Sequence, residues 1–119
     1  MSLQTADHHF SKFIRLRDGK CFICGSGEDL TCGHFVKRRH LKTRYDEMNC
    51  HALCFRCNNG EESDTGIAYQ HERKMIEKYG QASVDNLKLR SRQPFHMSKA
   101  DLNEIAKTYR KKTKEYETV

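Results

Sequence analysis

Two Cys-x-x-Cys pairs, Cys21/Cys24 and Cys54/Cys57, bracket a segment that holds Gly33-His34 and Asn49, and Asn58 directly follows the last cysteine. Four soft thiolates delivered as matched pairs are the donor set of a tetrahedral zinc. Four thiolates also fill such a site and leave no position for water, so this zinc is expected to be structural. Any reaction must then come from the residues between and beside the cysteines. A neutral imidazole can take a proton from water near pH 7, which makes His34 a candidate general base. Asn58 brings an amide oxygen to a position next to a zinc cysteine, where the scaffold holds it for a hard cation. Asn49 can pin the intervening loop through side-chain hydrogen bonds to backbone. Hydrolysis of a phosphodiester needs an activated water, a charge-stabilised phosphate and help for the leaving oxygen. The constellation suits that reaction.

The elements that must position these residues are short. Phe10, Phe13 and Ile14 fall at helical spacing within residues 5–18, and Asp18-Gly19 ends that helix. Thr31, Phe35 and Val36 favour a strand over 29–36, residues 37–44 form a basic loop, and residues 49–53 lead into the second knuckle and a short helix. Residues 60–66 are polar and acidic, a loop. A helix over 67–79 stops at Gly80, and another starts at Ser83. Ser98-x-x-Asp101 has the form of a capping box ahead of a stripe of Leu102, Ile105, Ala106, Tyr109 and Tyr116. The expectation is an α+β fold in one domain over 1–119. Its core is a small zinc-stabilised, treble-clef-like unit over about 18–66, followed by a helical region over about 67–117 whose charged last helix can project.

Composition points the same way. Only 36% of the 119 residues are apolar and there is no Trp, so a lean core needs a staple such as a metal. No apolar run marks a signal peptide and no stretch is long enough to span a membrane, so a reducing, cytoplasmic setting is expected. The net charge of +6 and a pI near 9.1 imply a polyanionic partner, nucleic acid first among them. Lys37, Arg38, Arg39, Lys42 and Arg44 follow His34 closely and are placed to hold a phosphate backbone. Tyr45 beside them suits either base stacking or core packing. Cys32 and Cys50 read as small buried apolar residues rather than ligands.

Taken together, Cys-x-x-Cys, Gly-His and Asn-x-His-x-x-Cys-x-x-Cys-Asn resemble the HNH, or ββα-metal, nucleases that carry a four-cysteine zinc, and in detail the NinG/Rap family of lambda-type phages. Phe13-Ile14-Arg15, Arg17-Asp18, Cys21-x-Ile23-Cys24-Gly25, Arg44, Asn49-x-His51, Tyr69 with Glu72, Gly80-Gln81 and Val84-Asp85 all fit that pattern over roughly residues 10–115. The resemblance implies a structure-specific endonuclease acting on branched recombination intermediates in a phage-infected bacterial cell. It also implies His34 as base, Asn49 as the loop-holding Asn, Asn58 as ligand of a catalytic Mg²⁺ or Mn²⁺, and a structural Zn²⁺. Many HNH enzymes keep an acid directly before the His; here it is Gly33, and Thr31 stands where NinG-type sequences tend to have Asp. An anionic ligand must come from elsewhere, with Glu61, Asp64 and Glu72 as candidates, and His51 is another possible ligand of the cation. The alternative reading is a zinc-dependent DNA-binding module without chemistry. Tyr109 and Tyr116 hint at a homodimer.

Overall fold

Phe10, Phe13 and Ile14 form the buried stripe of α1 (Leu3–Asp18) in the computed structural model, which describes residues 3–60 and 65–117. The first knuckle leads into β1 (Leu30–His34), a basic loop containing a 3-10 turn (Leu41–Thr43), and β2 (Cys50–Cys54). Three helices follow the short α2 (Phe55–Gly60): α3 (Thr65–Tyr79), α4 (Gln81–Ser91) and α5 (Lys99–Glu117). The result is helices around a small antiparallel two-stranded sheet, an α+β arrangement. No described helix is long and apolar enough to cross a membrane.

The sheet register decides which side chains share a face. His34 lies opposite Cys50, Gly33 opposite His51, and Cys32 opposite Ala52. Because strand residues alternate between faces, His34, Cys32 and Cys50 face one way and His51 the other. On the first face Cys50 packs with Phe10, Phe13, Ile14 and Tyr109, joining the sheet to α1 and α5. On the second, His51 stacks on Phe22 and bonds Tyr79 of α3.

Polar clamps fix α1 against this unit. Arg17 donates to the carbonyls of Glu47 and Cys50 at 3.1 and 2.8 Å, and the Asp18 carboxylate accepts the Ala52 N–H at 2.8 Å. At the other end of α1, Asp7 takes Arg44 Nε at 3.0 Å and the Tyr45 hydroxyl at 2.7 Å. Tyr45 thus packs in the core against Phe10.

The last helix does not project. Its capping box is reciprocal, with Ser98 N–H donating to Asp101 at 2.9 Å and Asp101 N–H to Ser98 Oγ at 3.1 Å. From there α5 runs along α1, where Tyr109 meets Phe10 edge-on at 4.7 Å and Phe13 at 5.3 Å. Its hydroxyl donates to Glu47 at 2.8 Å. Burial of this apolar stripe on α1 outweighs solvation of the charged face. Tyr109 is therefore a core residue.

A four-thiol group and a cleft beside it

The first knuckle is a tight turn closed by Gly25 N–H to Cys21 O at 2.9 Å, with Gly25 at φ 82°, a left-handed conformation that suits glycine. The second straddles an element boundary: Cys54 ends β2 and Cys57 lies in α2. Their Sγ atoms and those of Cys21 and Cys24 all lie within 4.8 Å of one another. Cys24 and Cys54 are 3.7 Å apart, far too long for a disulfide. Tetrahedral Zn–S bonds of about 2.3 Å would set sulfurs about 3.8 Å apart, so the group fits a structural metal such as zinc. The charges argue likewise. The Ser26 backbone hydrogen bond, ahead of those from the other thiols, lowers Cys24 to about 7, whereas burial pushes Cys57 up. Four such thiols cannot all ionise side by side without a cation between them.

Beside this group lies a cleft of about 540 Å³, lined by Asp7 and Ser11 of α1, Cys32 and His34 of β1, Lys37, Arg38 and Arg39 of the loop, and Asn58 and Asn59 of α2. His34 and Asn58, which stand 24 positions apart in the chain, thus meet in one opening. His34 Nε2 donates to the Arg44 carbonyl at 2.9 Å. A carbonyl can only accept, so Nε2 carries the ring proton and Nδ1 keeps its lone pair. Burial lowers the His34 pKa below the ordinary value; the Arg44 carbonyl opposes this, while the Arg44 and Arg38 charges add to it. The imidazole is accordingly neutral at pH 7.

The amide of Asn58 is oriented with equal definition. Thr31 Oγ1 donates to Leu53 O at 2.7 Å, and its lone pair accepts Asn58 Nδ2 at 3.0 Å. With the nitrogen so held, Oδ1 is the atom of Asn58 left for a cation. Asn49 is fully buried and binds the loop at two points. Val36 N–H donates to its Oδ1 at 2.8 Å, and its Nδ2 donates to Val36 O at 2.9 Å and Thr43 O at 3.1 Å. Asn49→Ala would leave these backbone groups unpaired, a loss of about 3 kcal/mol. Chemical denaturation should show that loss, with exchange protection falling first across residues 36–44.

Several residues stand apart from the cleft. His51 is buried on the opposite sheet face; burial takes its pKa down to about 3, and its Nε2 meets the Tyr79 hydroxyl at 2.7 Å. It is not placed as a ligand to a cation near His34. Glu72 pairs with Lys88 and does not line the cleft. Glu61 and Asp64 lie outside the described residues. Arg44 is taken by Asp7, and Lys42 sits over the Phe95 ring at 4.9 Å, so Lys37, Arg38 and Arg39 are the basic residues that face the cleft.

Sequence reading did not find Asp7, the carboxylate that lines the cleft among the described residues. Its only signal is tertiary, through Arg44 and Tyr45. Gly33 also gains a reason: a Cβ there would come within 2.3 Å of Leu53 Cδ1 and 2.5 Å of Cγ. Leu53 is fully buried, so an acidic side chain before His34 cannot be accommodated without moving the core.

A four-thiol group with the spacing of a metal site, a two-stranded sheet and flanking helices define the class: a small α+β domain with a polar cleft beside that group. The family model of the bacteriophage lambda NinG protein matches residues 3–118, and the chain belongs to that family. No curated protein and no solved structure matches it.

Proposed function

We propose that this protein is a metal-dependent, structure-specific DNA endonuclease that hydrolyses phosphodiesters in branched recombination intermediates, with His34 as general base. One observation carries the reading. The Nε2–H···O=C bond to Arg44 holds a neutral imidazole on the cleft floor with Nδ1 free to accept a proton. Asn58 Oδ1 and the substrate phosphate would hold a Mg²⁺ or Mn²⁺, which neutralises charge on the phosphate and on the leaving oxygen. Asp7, already bound by Arg44 and Tyr45, sits at the same opening. His34 takes the proton of the attacking water, Asn49 keeps the loop that supplies the Arg44 carbonyl in place, and Lys37, Arg38 and Arg39 hold the DNA backbone. The preference for branched DNA rests on the resemblance to the NinG/Rap nucleases.

The second reading, a zinc-dependent DNA-binding module without chemistry, draws on Gly33 in place of an acid before His34 and on Asp7 as the one carboxylate lining the cleft among the described residues. Wild-type protein incubated with a four-way junction, a flap and a linear duplex separates the two. Cleavage of branched DNA in Mg²⁺ or Mn²⁺ is the expected result. Salt-sensitive binding with no cleavage under any divalent ion would favour the second reading, and no affinity for DNA at moderate salt would defeat both. Binding itself should follow the cleft-facing charges. Each phosphate contact contributes about 0.9 to the slope of log affinity against log salt. Arg38→Ala with Arg39→Ala should therefore flatten that slope by about 2, measured by fluorescence anisotropy over a salt series.

A further inference from the structure

Cys32, His34 and Cys50 belong to neither the four-thiol group nor the hydrolytic machinery, His34 excepted, yet the sheet register gathers them. His34 lies opposite Cys50, and Cys32, two residues back on β1, shares their face. One ligand atom from each lies within 4.8 Å of the other two. Cys32 and His34 line the cleft, and Cys50 lies buried beneath them with its Sγ 3.6 Å from the Arg44 carbonyl. Two sulfurs and one imidazole nitrogen form a soft donor set that selects Zn²⁺ over Mg²⁺. Three protein ligands with a fourth position open toward solvent is the geometry of an exchangeable zinc rather than a closed structural one. Bonds of about 2.3 Å to sulfur and about 2.0 Å to nitrogen would need these atoms roughly 3.5–3.8 Å apart.

We propose that Cys32, His34 and Cys50 form a second, exchangeable Zn²⁺ site on the cleft floor, and that its occupation removes the catalytic base. Binding releases the two thiol protons to solvent and leaves a neutral ZnS₂N unit open to water. Either ring nitrogen gives the same outcome. Coordination through Nδ1 uses the basic lone pair directly, and coordination through Nε2 breaks the bond to Arg44 and moves the ring proton onto Nδ1. Excess zinc would thus switch off hydrolysis that Mg²⁺ supports. That consequence rests on the proposed nuclease reading; the binding does not.

The test is zinc stoichiometry at saturation, by equilibrium dialysis and metal analysis, for wild type, Cys32→Ser, and Cys32→Ser with Cys50→Ala. Wild type should hold two zinc ions per chain and both variants one. The single variant changes only a half-buried residue at the cleft, so it guards against a fold defect from the buried Cys50. A wild type that saturates at one zinc, or variants that still hold two, would overturn the site. In a second arm, added Zn²⁺ should lower Mg²⁺-supported cleavage at least 10-fold in wild type and leave the Cys32→Ser rate unmoved. Equal inhibition of both would overturn the switch, while absent cleavage in both would count against the nuclease reading and leave the stoichiometry decisive for the site.

Discussion

Removing the structural metal should unfold this protein. Cys54→Ser, or a strong chelator applied to wild type, is expected to abolish most helical circular dichroism and the dispersed NMR spectrum, with recovery when Zn²⁺ is returned to the wild type. The magnitudes decide it. Structural zinc binding in small domains contributes about 10–16 kcal/mol, whereas net folding stability is about 5–15 kcal/mol. The four thiols join the first knuckle, the end of β2 and the start of α2, and among the described residues the cluster around them holds only Ile23 and Leu53 as buried non-cysteine residues. Closing the long loop between Cys24 and Cys54 also removes entropy from the unfolded chain. A metal-free chain with a native spectrum would show that the α1–α5 packing stabilises the fold alone.

His34→Ala should reduce the single-turnover rate of DNA cleavage by about 10²–10⁴-fold, the range for loss of a positioned general base. That corresponds to about 2.7–5.5 kcal/mol at the transition state. Affinity for DNA and the four-thiol zinc should persist, because neither uses the imidazole. The pH profile adds a second check. Burial, with the positive charges of Arg44 and Arg38, lowers the His34 pKa from 6.5. The base form is the unprotonated one, so the rate should rise with pH through an inflection centred below pH 6.5. His34→Ala should lose that inflection. An inflection centred above pH 6.5 would mean that another group takes the proton.

Much of this architecture is visible in the sequence because it is local. The two knuckles declare themselves by spacing, Asn58 by its place after Cys57, and the α5 stripe by its helical period. What escapes sequence reading depends on long-range contact. Asp7 reaches the cleft only because α1 is clamped through Arg44 and Tyr45, 37 and 38 positions away. The same ion pair ties Arg44 to α1, although its position in the basic run offers no sign of this. His51 looks as good a ligand as His34 by residue type, and the one-residue alternation of β2 puts it on the other face. Gly33 reads as a missing acid until Leu53 is seen to fill the space a side chain would need. The gathering of Cys32, His34 and Cys50 likewise requires the register, since it joins positions from two strands.

The most direct test of the central claim is single-turnover cleavage of a four-way junction in Mg²⁺ by wild type and His34→Ala, matched for zinc content and junction affinity. The account predicts cleavage by wild type and a rate at least 100-fold lower for the variant. Equal rates for the two proteins would contradict it and move the chemistry away from His34.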